Sequence, residues 1–475
     1  MTRASRATRA ASPSASATPA HALAFALRRP AAAVLPLSAA LVLAGLAWPA
    51  SGAQAAAAEA APGGSAPAAR VVATATLPDI PLAGFSNGLL PGTVADDRGV
   101  DLGGIGSDLY PAERPGEYWT VTDRGPNGQI TVGKEKRRTF PVPGFDPAIV
   151  KIRATGDRVE VLRAIPLTTA SGKPVTGLPN QPGRDEAPYS YDARTPLAYD
   201  PNGLDTEGLV RDRDGSFWLV DEYGPSLVHV SPGGRVLARH VPQGLNLTGA
   251  DYPVIESLPS IHLTRKNNRG FEGLALLPDG DLVMALQSPL LNPDKNSGED
   301  SRTTRLLRFS PREGAVTAEY AYRFDPVGEV EPGQTKTSEL KISALVALGG
   351  DRLLVQERTD KAARLYEIRL RRGADILGSA WDSPATSPSL EQLTDPAAAG
   401  VPVPAKRLVV DLGRVEGVPG KIEGVAVTGR HTLVLLNDND FGMTDGPQAF
   451  DADGRLVDSG VETTLVTVRL DRPVR

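Results

Sequence analysis

The chain has 475 residues, of which 41% are hydrophobic and 23% charged, enough to bury one large core or two ordinary ones. With no cysteine it has no disulfide framework, thiolate metal site or cysteine nucleophile, and its five histidines (His21, His229, His240, His262, His431) lack metal-ligand spacing, which argues against a zinc centre. The formal net charge is −5; the first 55 residues hold five arginines and no acid, so residues 56–475 carry 46 basic against 56 acidic residues, a net −10 that suits cations better than nucleic acid or an anionic membrane.

The N-terminal stretch reads as an export signal. Arg3, Arg6, Arg9, Arg28 and Arg29 precede the apolar run Ala31 to Ala50, and Ala53-Gln54-Ala55 fits a small-residue cleavage site. Arg28-Arg29 hints at twin-arginine export. The run is long enough to span a membrane, so an uncleaved anchor is the alternative; Pro36, Pro49 and the small residues after the run favour cleavage. Residues 1–55 are thus read as a signal, 56–69 (Ala, Gly, Pro, Ser) as a disordered tether, and 70–475 as the folded domain, exported to the periplasm or beyond.

Gly (49) and Pro (42) are abundant, as turn-rich β structure requires. Val71 to Leu77 is a lone strand with no hairpin partner nearby, and Thr463 to Leu470 at the far end supplies one. An N-terminal strand added to the last repeat closes a ring of blades and removes an open sheet edge. Between these ends one pattern recurs. Phe271-Glu272-Gly273-Leu274 and Leu282 to Leu286 flank an Asp279-Gly280 turn; Asp205-Thr206-Glu207-Gly208-Leu209 is followed by Asp214-Gly215 and Phe217 to Glu222; Lys421-Ile422-Glu423-Gly424-Val425 is followed by Thr432 to Asp440. Asp-Gly between two β-type runs is a hairpin signal. Two copies lack the Glu-Gly pair, Gly103 to Asp108 with Tyr118 to Arg124, and Lys341 to Ala347 with Arg352 to Arg358.

Further strand pairs follow four of the hairpins, at 148–152 and 159–162, 226–230 and 235–238, 305–309 and 318–322, and 364–368 and 407–410. Hairpins repeated at this interval predict an all-β propeller with five readable blades, six or seven being possible. Residues 166–203, 241–266, 291–303 and 371–405 read as long rim loops, and any helices are expected to be short and to lie there. The stretch Asn292 to Asp300 has oxygen-bearing side chains but no calcium-loop order, and reads as a solvated turn.

In a propeller the start of each inner strand and the end of its partner face one mouth. Asp123, Arg124, Glu207, Asp221, Glu222, Arg269, Glu272, Gln287, Lys341, Glu357, Arg358, Lys421, Glu423, Asp438 and Asp440 should converge there, with Glu272 and Gln287 sharing one hairpin edge. Carboxylates without His or Cys are hard oxygen ligands, so Glu207, Asp221, Glu272, Glu423, Asp438 and Asp440 are expected to hold calcium, with magnesium possible. Arg124, Arg269, Lys341, Arg358 and Lys421 would bind substrate phosphate, and Asp221, Glu222 and Glu272 would serve catalysis beside the metal. The Glu-Gly pairs admit a structural reading too, with Glu bonding the next blade and Gly permitting close approach. Nucleophile-elbow, P-loop and HExxH patterns are absent from the sequence.

At Gly270-Phe271-Glu272-Gly273-Leu274-Ala275, Asp205-Thr206-Glu207-Gly208-Leu209, Trp218 to Pro225 and Leu436 to Gly442 the chain resembles the bacterial secreted family called "esterase-like activity of phytase", across roughly residues 80–470. The resemblance implies hydrolysis of phytate or related esters. The resulting expectation is an exported, monomeric, metal-dependent phosphoric ester hydrolase acting on a small phosphorylated or ester substrate. A non-catalytic binding propeller stabilised by calcium is the alternative.

Overall fold

A computed structural model of the protein describes residues 68–90 and 94–474; the stretch expected to be an export signal and the expected tether up to residue 67 lie outside the described residues. Five four-stranded groups form around one axis. Blade I is Tyr110–Pro111, Glu117–Val121, Ala148–Thr155 and Arg158–Pro166. Blade II is Thr206–Arg211, Phe217–Asp221, Ser226–Val230 and Val236–Pro242, with Val254–Leu258 added in parallel at its outer edge. Blade III is Phe271–Leu276, Leu282–Leu286, Thr303–Ser310 and Ala315–Arg323, and blade IV is Lys341–Gly349, Arg352–Arg358, Ala363–Arg369 and Arg407–Asp411. Blade V is Ile422–Gly429, Thr432–Asn437, Thr464–Leu470 and the N-terminal strand Ala69–Thr76. The innermost strands touch in the order I, II, III, IV, V and back to I, which closes the ring. The fold is an all-β propeller.

Ring closure takes the expected route. Ala69–Thr76 pairs antiparallel with Thr464–Leu470 (Ala69 opposite Leu470, Thr76 opposite Thr464), so the two chain ends share one blade and its edge is covered. The strand begins at Ala69, one residue inside the stretch read as tether. Apolar residues fill the seams between blades: Leu209, Phe217, Leu219, Val228 and Val230 of blade II meet Trp119, Val121 and Ile149 of blade I, and Ala275, Val283 and Leu306 of blade III meet Leu345, Leu353 and Val355 of blade IV. Each buried aliphatic side chain contributes roughly 1.5–3 kcal/mol, so the seams dominate the stability.

Three differences from the sequence reading have simple causes. Gly103 to Asp108 is not a ladder strand; blade I pairs only at Tyr110–Pro111, because the glycine run lies flat against residues 437–441 of blade V, where a Cβ on Gly106 would sit 2.2 Å from the Asn437 carbonyl oxygen. The eight-residue helix Leu82–Leu89 lies outside the rim loops and buries Leu82 and Phe85; two turns are too few to produce a sequence period. Gly128–Val132, Glu135–Thr139 and Pro188–Tyr189 form a small sheet on the rim, within stretches read as loop or left unassigned. The Asn292 to Asp300 stretch includes the short helix Lys295–Asp300, whose N-terminus Asp294 caps by accepting from Ser297 N at 3.0 Å.

The Glu-Gly glycines bring the blades together. A Cβ on Gly208 would stand 2.4 Å from the Glu272 carbonyl oxygen of the next blade, a backbone atom that cannot swing aside. Gly208→Ala is therefore expected to cost about 1–3 kcal/mol in chemical denaturation. Gly233→Ala, where no heavy atom lies within 4 Å, should change stability by no more than about 0.5 kcal/mol.

Candidate functional site

In each of three blades one glutamate is set apart from the ladder, and backbone irregularity puts it there. Thr206 pairs with Asp221 and Gly208 with Val220, so Glu207 is the extra residue of a β-bulge. Glu272 stands between the pairs Phe271–Leu286 and Gly273–Ala285, and Glu423 between Ile422–Asn437 and Gly424–Leu436, in the same way. A bulge re-aims a side chain that would otherwise alternate across the sheet. The three glutamates consequently meet at the axis, with one carboxylate oxygen from each inside a 4.8 Å sphere of mutual separation. A second triplet of the same dimensions is Asp205, Glu207 and Glu222, so Glu207 belongs to both.

The residue after each second strand completes a ring. Asp123, Glu222, Gln287 and Asp438 occupy corresponding positions, each donating its backbone N–H to the segment that leads into its own inner strand (Gly104, Asp205, Gly270 and Lys421), at 3.1, 3.0, 2.8 and 3.0 Å respectively. Gln287 Nε2 donates to Glu272, as the shared hairpin edge predicts. Blade IV breaks the pattern. Its bulge carries Ser343 in place of Glu, and the ring position is Arg358, opposite Lys341. Arg358 Nε donates to Ser343 Oγ (2.7 Å), Nη1 to Asp360 (3.1 Å), and Nη2 to Glu423 with Glu272 at 3.6 Å. A fixed cation thus stands where a fourth glutamate would have been.

These groups surround a cavity of about 520 Å³ at one mouth, lined by the acids Asp123, Glu207, Glu222, Glu272, Asp360, Glu423, Asp438, Asp440 and Asp445 and the bases Arg124, Arg138, Arg269, Lys341, Arg358 and Lys421. A larger cavity of about 660 Å³ opens at the other mouth, lined by Leu209, Leu274, Leu345 and Val425, each two residues beyond a bulge position on its strand. Its one carboxylate, Asp108, is taken up by Leu109 N (2.7 Å) and Leu209 N (2.8 Å). The acidic mouth is the candidate site.

Burial raises the Glu207 and Glu222 carboxyls well above their ordinary range, and neighbouring carboxylates (Glu272 and Asp205 foremost) push them further. Glu272 and Glu423 are raised by burial, against the pull of Arg358. Asp123 is lifted by burial and then by Asp438 and Asp205. At such spacing each ionised pair repels by about 3–4 kcal/mol at an effective dielectric of about 20. Protons or a cation must offset that. Glu222 Oε1 and Gln287 Oε1 are buried without a hydrogen-bond partner among the described residues. An all-oxygen donor set with free lone pairs fits a hard divalent ion.

The expected site residues fall into three groups. Glu207, Glu222, Glu272 and Glu423 come together as described, and Arg124 and Arg269 line the same space. Lys341, Arg358 and Lys421 also line it, but with their charges engaged: Lys341 Nζ lies 2.6 Å from Asp360, and Lys421 Nζ reaches Asp438 at 2.5 Å and also Asp440. Asp438 and Asp440 are correspondingly held by Lys421. Glu357 does not line the cavity; it is buried and accepts from Tyr322 Oη at 2.7 Å and from Asp325 N at 3.0 Å. Asp221 is corrected too: it does not line the cavity. At 0% exposure it accepts from Asp205 N (2.6 Å), Ser226 Oγ (2.5 Å) and the equally buried Arg239 (2.6 Å), so it anchors blade II rather than metal or substrate. Asp205 and Asp360 were missed as site members, as were Asn127, Arg138 and Asn268 on the rim. Asp205 opens the Asp-Thr-Glu-Gly motif, and its equivalence to Lys421 in the repeat was a usable signal.

Removing one partner of the buried Asp221–Arg239 pair strands the other, so Asp221→Ala should cost about 3–5 kcal/mol. Glu207→Gln should do the opposite in metal-free protein. A raised folded-state pKa gives stability that is complete below the unfolded value of about 4.3 and is lost as pH rises through the folded pKa. Metal-free wild type should therefore melt at lower temperature as pH climbs above about 4.3, and Glu207→Gln should flatten that slope; unchanged slopes in thermal scans would contradict the assignment.

The family described as "Phytase-like: Esterase-like activity of phytase" matches residues 100–441. An uncharacterized secreted protein of the fungus Arthroderma benhamiae is 28% identical over 345 residues, 61% of this chain and 66% of the relative, so the chain spans just under two thirds of that relative's length. Among solved structures, the PQQ-bound aldose sugar dehydrogenase of Streptomyces coelicolor is 12% identical, with 86% of this chain and all of that one covered and a TM-score of 0.32. The calcium-binding protein regucalcin of Agrobacterium tumefaciens is 12% identical, covering 81% and 94%, with a TM-score of 0.31. The propeller is read from strand order and inner-strand contacts, not from these superpositions. The match over most of the domain identifies the chain as a member of the phytase-like family.

Proposed function

We propose that the protein is an exported hydrolase of phosphoric esters whose reaction takes place at the acidic mouth with a bound divalent cation, calcium in preference to magnesium. The observation that carries the reading is Glu207, shared by two carboxylate triplets, beside the unpartnered Glu222 Oε1 and with Arg269 next to the cluster. Family membership and the secreted relative support hydrolysis outside the cell, as do the arginine-led apolar segment and small-residue site at residues 1–55.

Asp205, Glu207 and Glu222 would hold the ion, with Glu272 and Gln287 closing the far side. When bound, a divalent ion supplies a more acidic water and neutralises charge developing on the phosphoryl oxygens. Glu222, whose Oε1 has no hydrogen-bond partner among the described residues, would orient the attacking water and accept its proton. Arg269 and Arg124 hold the phosphoryl oxygens, and the enclosed mouth strengthens those contacts. Arg358 and Lys421 neutralise carboxylates and keep the cluster folded. The water oxygen bonds to phosphorus, the ester P–O bond breaks, and the leaving oxygen takes a proton, giving an alcohol and inorganic phosphate.

The second reading, a non-catalytic propeller with structural calcium, draws on one observation: Glu272 and Glu423 clamp Arg358 in a fully buried network of the kind that stabilises folds. Phosphate release decides between them. Hydrolysis of an aryl phosphate should require calcium, stop with chelator and return on calcium addition, and Glu222→Gln should lower kcat by about 100-fold or more. No release across an ester panel, with calcium still raising Tm, would establish the second reading instead.

A further inference from the structure

We infer, resting on the hydrolase reading above, that the acidic mouth accepts an ester bearing a single phosphate group, gripped by Arg269 and Arg124, and rejects polyphosphorylated esters such as phytate.

Of the six cations that line the cavity, four are committed to partners. Arg138 forms a fork on Glu186, with Nε and Nη2 donating at 3.0 and 3.1 Å. Lys341 is held by Asp360, Lys421 by Asp438 and Asp440, and Arg358 by Ser343, Asp360 and Glu423. Breaking the Arg358–Glu423 or Lys421–Asp438 contact to reach a ligand would leave a buried carboxylate uncompensated, and Arg138 would give up its fork on the partly buried Glu186.

Two guanidinium groups remain. Arg269 has no hydrogen bond or ion pair among the described residues, and its Nη1 is buried. Arg124 is 5% exposed; its Nε is unpartnered, while its Nη1 stands 3.1 Å from Asp205 and 3.8 Å from Glu186 in ion pairs without an aligned hydrogen bond. The two are linked, because Arg124 Nη2 donates to the side chain of Asn268, the residue before Arg269, whose backbone is left-handed at φ 55°. Asparagine is the non-glycine residue that most readily adopts that conformation, so the turn that aims Arg269 suits its own sequence. Both guanidinium charges act on Glu222. Arg269 offers a free fork to one phosphoryl group beside the carboxylate triplet, and Arg124 adds its charge and its unpartnered Nε.

Charge decides against a polyanion. Nine acids face six bases around the cavity, so one divalent ion still leaves the lining net negative when all groups are charged. One phosphate dianion can be met by two arginines and the ion. Each additional phosphate of a polyphosphate would face Asp360, Asp438, Asp440 or Asp445 with no cation to spare.

The test uses the mature chain with equimolar calcium. Phosphate release is compared for p-nitrophenyl phosphate and phytate, and calorimetry measures binding of inorganic phosphate and of phytate whether or not either ester is turned over. Expected are a kcat/KM at least 100-fold higher for the monoester, tighter binding of inorganic phosphate than of phytate, and an Arg269→Gln variant that raises KM about tenfold or more with kcat less affected, partly rescued in Arg269→Lys. Arg312→Gln, at an exposed position in the turn joining the two outer strands of blade III, controls for loss of positive charge. Phytate binding as tightly as phosphate, or being hydrolysed as fast as the monoester, would overturn this inference while leaving the hydrolase reading intact. Absence of release from both esters would overturn the hydrolase reading, and the calorimetric ranking would still judge the anion preference.

Discussion

The structure depends on crowding like charges at an axis. Closing a five-bladed ring forces the inner strands so near one another that side chains at their starts must share a small volume, and in three blades that side chain is a glutamate. Glycine follows each of the three, because at that point the neighbouring blade's backbone lies within reach of a Cβ. The bulge turns the glutamate inward, the glycine lets the next blade approach, and the two features occur together in the ladder of every Glu-Gly blade. Without a compensating charge the arrangement is repulsive. Functional sites commonly store such strain, which the apolar seams elsewhere in the ring offset.

The compensation is uneven around the ring, and that asymmetry gives the mouth its character. Blade IV carries Ser343 where its neighbours carry Glu, and Arg358 fills the vacated charge position, so the Glu272–Glu423 side is neutralised by the protein itself. Lys421 does the same for Asp438 and Asp440. The Asp205–Glu207–Glu222 side has Arg124 near Asp205 but leaves an oxygen of Glu222 unmatched. One half of the mouth is thus internally satisfied and the other half is open to a cation and to an anion beside it.

Much of this was legible in the sequence, because the repeating unit is short and its turn chemistry explicit. Glu207, Glu272 and Glu423 could be aligned by the Gly after each of them, and convergence at one mouth is implied once hairpins are read as blades. The closing strand was visible because Val71 to Leu77 had no local partner. Asp221 misled for a geometric reason: it sits one residue before the ring position that Glu222 occupies, and in a strand neighbouring residues face opposite sides, so it turns to Arg239 instead of the axis. The bulges were invisible, since a one-residue register shift leaves no mark on hydrophobic alternation. The committed state of Lys341, Arg358 and Lys421 depended on partners such as Asp360, set by loop geometry that no pattern encodes.

The open triplet is the place where a divalent cation should collect. Diffraction from crystals soaked in manganese, recorded at the manganese absorption edge, reads this directly. The expected result is an anomalous peak within about 2.5 Å of oxygens from Asp205, Glu207 and Glu222. An axial mouth with no peak, or a peak confined to the rim at Asp438 and Asp440, would contradict it.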